Sequence, residues 1–186
     1  MGLGAIEMRK HQPSCERLDP SYSLTKLSSP RFSKLGKITD TETRARRLKA
    51  PRFSYVRPQS LDDVLRLLGE HGEDARILAG GQSLMPVLNM RLAQPKLLID
   101  INRIDALKGI SISDGMVRIG ALARHAEVMA SPIVAQRLPL IAEAMPHVAH
   151  VAVRNRGTFG GSIALADPAA ELPACILALR ATVRRR

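Results

Sequence analysis

Cysteine, aromatic side chains and long apolar runs are all scarce in this 186-residue chain, and each scarcity closes off a class of function. The two cysteines, Cys15 and Cys175, lie far apart, and neither has a second ligand at metal-binding spacing. An iron–sulfur cluster usually takes four thiolates, so this chain holds none of its own. Nor do two distant cysteines suggest a disulfide framework. Tryptophan is absent and aromatics make up 3% of the residues, too few for a base-stacking surface. No apolar stretch reaches the roughly 18 residues that cross a bilayer. The start, Met1–Lys10, lacks the apolar core of a signal peptide, and the chain reads as cytoplasmic with no membrane span. No nucleophile with a partnered base and no isolated carboxylate pair is evident, so no catalytic residue is assigned. His147 and His150 are three apart but have no third ligand at sensible spacing, so no metal site is assigned either.

Positive charge is abundant, with a formal net of +11, but it is unevenly spread. Residues 1–50 carry eleven Lys/Arg against five Asp/Glu, and Arg184-Arg185-Arg186 closes the chain. The body between them is nearly neutral. A nucleic-acid reader concentrates its basic groups on a folded face, so no nucleic-acid partner is expected.

Residues 1–50 show no sustained periodicity and are rich in Ser and Pro. They read as a disordered basic extension of little function, with Thr39–Ala50 at most a frayed helix. The folded body starts near Pro51. Ser60 is a good helix N-cap, with Asp62 and Asp63 in the first turn. Leu61, Val64, Leu65 and Leu68 then form one apolar stripe. Arg76–Leu78 reads as a strand, Leu84–Leu92 as a short helix, and Leu97–Ile101 as a buried strand. Ile110–Ile112 and Val117–Ile119 flank an Asp114-Gly115 hairpin turn. Ala123–Met129 and a segment opening at Ser131-Pro132 read as helices. Pro168–Leu179 reads as another, and Arg180–Val183 as half a strand interrupted by arginines.

Two stretches share one pattern. Arg76-Ile77-Leu78 leads into Ala79-Gly80-Gly81-Gln82-Ser83, then a helix start at Leu84. The apolar run Val151-Ala152-Val153, which reads as buried, leads into Arg154-Asn155-Arg156-Gly157-Thr158-Phe159-Gly160-Gly161-Ser162, with a small-residue helix from Ser162 to Ala166. Glycine pairs allow close approach and positive φ. Turns that open helices leave N–H groups free for an anion such as a phosphate. Two such turns suggest two halves of one diphosphate cradle. Arg154 and Arg156 fit either an offset to phosphate charge or partners for acids elsewhere.

In order, Ala79–Leu84, Ile99-Asp100-Ile101, Gly120-Ala121-Leu122, Arg154–Ser162 and Ala166-Asp167-Pro168-Ala169-Ala170-Glu171-Leu172-Pro173 resemble the FAD-binding medium subunit of molybdenum hydroxylases, the carbon monoxide dehydrogenase and xanthine dehydrogenase flavoprotein family. The resemblance runs from about Pro51 to the end of the chain. It implies an α+β, two-sublayer FAD-binding domain, with residues 51–105 as the first sublayer and 106–186 as the second, incomplete at its C-terminus. It implies FAD as cofactor, with molybdopterin on a large partner subunit and [2Fe–2S] on a small one. Electrons would pass from the iron–sulfur partner to an external acceptor. A stand-alone FAD oxidase, or a non-functional fragment of such a subunit, is the alternative. Residue by residue, the resemblance places Leu78, Ala79, Gly80, Gly81, Gln82, Ser83 and Leu84 in a first cofactor loop, and Thr158, Phe159, Gly160, Gly161 and Ser162 in a second. Glu171 would meet ribitol or ribose hydroxyls, with Asp167 as a neighbouring candidate. From the residues alone, Asp167 fits a helix N-cap, Glu171 the first helical turn, and Phe159 either the core or the flavin's surroundings.

Overall fold

The structure, a computed structural model, describes residues 3–9 and 49–185. The first half is built on a three-stranded parallel sheet, order β2-β4-β3. Its strands are β2 (Ser54–Val56), β3 (Ala75–Leu78) and β4 (Leu97–Asp100). All four residues of β4 are buried, as an apolar run at the centre of a covered sheet requires. Helix α1 (Leu61–His71) packs on this sheet through Val64, which is 1% exposed. Its start is as expected: Ser60 Oγ accepts the Asp63 N–H at 3.1 Å. Its end is Gly72, at φ 50°, a conformation that glycine adopts at little cost. The short helix α2 (Leu84–Asn89) follows the first turn and buries Leu88.

The second half carries an antiparallel sheet, order β5-β6-β1-β7. Its strands are β1 (Leu3–Arg9), β5 (Ile110–Ser113), β6 (Met116–Gly120) and β7 (Thr182–Arg185). Five of its helices are α3 (His125–Ala130), α4 (Pro132–Arg137), α5 (Pro139–Ala144), α7 (Phe159–Leu165) and α8 (Glu171–Ala178). They contribute Val128, Val134, Ile141, Phe159 and Leu172 to a core shared with Val117 and Ile119. The two halves meet at Leu107 and Leu122, which pack into the first-half core. A Cβ at Gly120 would sit 2.4 Å from the Leu107 carbonyl oxygen, so this crossover requires glycine.

Three expectations are corrected. The first is the placement of residues 1–50 outside the fold, which fails for Leu3–Arg9. That segment is an inner strand, with Ile6 and Met8 0% and 1% exposed. Its two apolar side chains alternate too briefly to give a local strand signal, and its partners lie more than a hundred positions away. The remainder of the extension, including most of the Thr39–Ala50 helix and Cys15, lies outside the described residues. The second is Val151-Ala152-Val153, which is not a buried run but the start of a short helix, α6 (Val151–Arg154), with Val151 63% exposed. The third is the interrupted strand after Arg180. Strand β7 continues through Arg185, paired with β1, and the Arg184 guanidinium reaches Glu7 across the sheet at 3.4 Å.

Candidate functional site

The two glycine turns converge. A Cβ added at Gly80 would lie 2.5 Å from the Arg156 carbonyl oxygen, 2.9 Å from Gly157 Cα and 3.1 Å from Thr158 N. The first turn therefore rests directly on the backbone of the second, with no room for a side chain between them.

The first turn leaves β3 at Leu78, whose carbonyl accepts the Ile101 N–H at 3.1 Å. Gly81 takes φ +71°, and its carbonyl accepts the Met85 N–H, which starts α2. Among the described residues, the backbone N–H groups of Gly80, Gly81, Gln82, Ser83 and Leu84 find no acceptor. Leu78, Ala79, Gly80, Gly81 and Leu84 are half-buried, while Gln82 and Ser83 are exposed. The Gln82 side chain donates back to the Gly80 carbonyl at 3.0 Å. A row of unspent donors on an accessible turn is what an anionic group needs.

The second turn is different, and the expectation of outward N–H groups there is corrected. Phe159 N donates to Ala123 O and Gly160 N to Ala121 O, both at 2.9 Å. Gly161 N donates to Thr158 Oγ1 and Ser162 N to Thr158 O, closing the N-cap of α7. Those four amides are spent inside the protein. Gly160 is glycine because Ala121 is there: a Cβ would lie 2.6 Å from the Ala121 Cβ. Thr158 is buried and Phe159 is fully buried core, which settles the open reading of that ring. Gly161 and Ser162 are half-buried. The second turn is thus the platform on which the donor-bearing first turn is seated.

A polar chain that the sequence reading missed ties the two turns together. Asp100, 4% exposed, accepts from Tyr55 Oη, from Arg57 Nε at 3.1 Å, from Asn102 N at 2.9 Å and from Asn102 Nδ2 at 2.6 Å. Asn102 Nδ2 also donates to the Ala79 carbonyl at 2.8 Å, holding the first turn. Arg124 Nη2 donates to Asn102 Oδ1 at 2.6 Å, while its Nη1 donates to the Arg156 carbonyl of the second turn. Burial alone would raise the Asp100 pKa. Hydrogen bonds from Tyr55 and Asn102, with the Arg57 charge, outweigh that and hold it below the usual carboxylate value. A buried, ionised acid is thereby the fixed anchor of the chain. Asp100 within an otherwise apolar strand was the available signal, because a buried carboxylate implies partners; nothing local marked Arg124.

His125 lies behind the second turn. It is 5% exposed, and a Cβ on Gly157 would come within 3.0 Å of its Nδ1. Neither ring nitrogen has a hydrogen-bond partner among the described residues. Burial lowers its pKa. The Thr158 backbone opposes this at a geometry short of a hydrogen bond, the Arg124 and Arg154 charges add to the lowering, and Glu171 opposes it. Glu171 is half-buried at the start of α8, where its charge acts on both His125 and Cys175. Asp167 is exposed and does not cap α8, whose N-cap is Ala170; its Oδ1 accepts the Ala169 N–H at 2.9 Å instead. The expected acid partners of Arg154 and Arg156 are absent among the described residues: Arg154 Nη1 donates to the carbonyls of Val148 and Ala149 at 3.0 and 2.8 Å. An open hollow lined by Gln59, Ser60, Leu61 and residues 103–106 and 108 includes no residue of either turn. No described helix is long and apolar enough to cross a membrane.

Comparison with known proteins places this geometry. The family described as FAD binding domain in molybdopterin dehydrogenase matches residues 51–186. The 6-hydroxypseudooxynicotine dehydrogenase complex subunit alpha of Paenarthrobacter nicotinovorans is 52% identical over 136 residues, covering 73% of this chain and 46% of that protein. The carbon monoxide dehydrogenase medium chain of Hydrogenophaga pseudoflava is 49% identical over 131 residues, 70% of this chain and 46% of that protein. The solved carbon monoxide dehydrogenase of that organism superposes with a TM-score of 0.67 at 50% identity, over 68% of this chain and 44% of that one. Quinoline 2-oxidoreductase from Pseudomonas putida 86 gives a TM-score of 0.65 at 47% identity, over 67% of this chain and 44% of that one. The chain spans a little under half the length of these relatives. With its paired glycine turns and the α+β frame that seats one on the other, the chain belongs to the FAD-binding domain family of molybdopterin dehydrogenases.

Proposed function

We propose that this chain holds FAD across its two glycine turns and acts as the electron-transfer part of a molybdenum hydroxylase of the carbon monoxide dehydrogenase and xanthine dehydrogenase type. Electrons arrive from a [2Fe–2S] small subunit and leave to an external acceptor, while a large subunit carries the molybdenum cofactor. The seating of Gly80 against Gly157 carries this reading, because it brings two sequence-distant turns into one site and leaves five amides along it with no acceptor among the described residues. The residues present fit the cofactor: the donors suit a diphosphate, and the close approach of the turns requires glycine. In this reading the amides of Gly80, Gly81 and Gln82 and the Ser83 hydroxyl hold the diphosphate. Leu78, Ala79 and Leu84 shape that turn from below. Thr158, Phe159, Gly160, Gly161 and Ser162 form the rigid second loop, and Glu171, with Asp167 beside it, supplies carboxylates for sugar or ribitol hydroxyls.

When bound, FAD supplies the redox chemistry, and the protein supplies binding and orientation. The Asp100–Asn102–Arg124 chain keeps the two turns at a fixed spacing, so the donor row is ordered before the cofactor arrives. With two cysteines in the whole sequence, cluster chemistry falls to a partner.

Titration with FAD and with FMN, followed by flavin fluorescence, tests the binding step. FAD is expected to bind in preference to FMN, because the turn recognises a diphosphate. The isolated chain is expected to bind more weakly than about micromolar, which corresponds to roughly −8 kcal/mol. Equal affinity for FMN and FAD, or no binding of either, would refute the reading.

A further inference from the structure

We propose that the gap between β6 and β7 is a strand-acceptor site, and that its ligand is the chain's own amino-terminal segment, Leu3–Arg9. The family match begins at residue 51, so this segment lies outside it. It nevertheless occupies an inner position, and among the described residues β7 joins the sheet through it. On one side Ala5 to Arg9 pair antiparallel with Gly120 to Met116. On the other, Ile6 pairs with Val183 and Glu7 with Thr182.

The side chains make the slot selective. Ile6 and Met8 enter the core beside Val117 and Ile119. Glu7 points to the opposite face and is 8% exposed. There it accepts from Arg118 Nη2 at 2.7 Å and Arg118 Nε at 3.1 Å, with Arg184 Nη2 at 3.4 Å. The slot therefore fits an apolar–acidic–apolar strand. Main-chain pairing gives the affinity, and the alternating pockets give the specificity. A one-residue slip would drive Glu7 into the apolar core and turn Ile6 and Met8 toward the arginines, so a single register is enforced. Residues 10–48 tether the segment to the body. Because the segment belongs to the same chain, its pairing is intramolecular and gains from effective concentration.

Hydrogen exchange on the full chain tests the assignment. Amides of Leu3–Arg9 are expected to be slowed at least about tenfold relative to unstructured chain, together with those of Thr182–Arg185. Exchange of Leu3–Arg9 at unstructured rates would overturn the proposal. Ile6→Asp should release both segments while β3 and β4 stay protected. Glu7→Arg should weaken protection at Leu3–Arg9, and adding Arg118→Glu should restore part of it; protection unchanged by Glu7→Arg would overturn the specificity.

A cross-link identifies the donor. Residues directly opposite in antiparallel strands stand within disulfide reach. In a chain carrying Cys15→Ser and Cys175→Ala, the pair Glu7→Cys with Thr182→Cys is expected to oxidise within one molecule, giving a faster-migrating monomer. The off-face pair Glu7→Cys with Val183→Cys should not. Equal cross-linking of the two pairs would overturn the register. A disulfide-linked dimer would overturn the intramolecular assignment, since a second copy would then be supplying the strand.

Discussion

Replacing Gly80 by alanine puts the seating of the two turns to the sharpest test. The new Cβ would meet the Arg156 carbonyl oxygen at 2.5 Å, where ordinary C···O contacts begin at about 3.3 Å. The atoms it meets are all backbone, and Arg156 O is itself held by Arg124. No flexible side chain is available to swing aside, so the turns must separate by roughly 0.8 Å along that contact. Overpacking of this kind costs about 1–3 kcal/mol, which corresponds to a fall in Tm of about 2–4 °C per kcal/mol for a chain of this size. A donor row moved by that much no longer matches a diphosphate, and FAD affinity should fall by more than about tenfold, or 1.4 kcal/mol. Thermal unfolding and flavin fluorescence titration on the same preparations give both quantities. Wild-type Tm and wild-type FAD affinity in Gly80→Ala would refute the direct seating of one turn on the other.

Gly69→Ala is the matching control: a Cβ there meets nothing within 4 Å in the last turn of α1, so it should stabilise by up to about 0.5–1 kcal/mol in urea unfolding and leave FAD titration unchanged. Arg124→Met strips the donors from Asn102 Oδ1 and the Arg156 carbonyl together. It should cost about 1–3 kcal/mol in chemical denaturation and weaken FAD binding in step. The lowered pKa of buried His125 makes its contribution to stability complete above the unfolded value of about 6.5. Below that pH the unfolded state takes up the proton first, so stability falls as the solution is acidified, by at most about 1.4 kcal/mol per pH unit for one group. Urea unfolding of wild type and His125→Leu between pH 7.5 and 5.5 should show a shallower pH dependence in the variant; identical slopes would remove His125 as a contributor.

The amino-acid sequence by itself determined the features whose physical cause is local. Ser60 with Asp63 set the start of α1, the unbroken apolar run at Leu97–Ile99 set a buried strand, and Asp114-Gly115 set the hairpin between β5 and β6. The positions of both glycine turns were also local information, since each glycine pair punctuates the chain at a defined place. Tertiary structure alone decided which turn keeps its donors free. Whether a backbone N–H is free depends on which distant carbonyl faces it, and only folding brought Ala121 and Ala123 onto the second turn and left the first with its donors unspent. The same holds for Arg124, an unremarkable cation in sequence that becomes a bridge when Asn102 and Arg156 arrive on either side of it. It holds most strongly for Leu3–Arg9, seven residues whose strand character comes almost wholly from the two strands that flank them, because sheet pairing is a property of neighbours in space and leaves little trace in a short segment read alone.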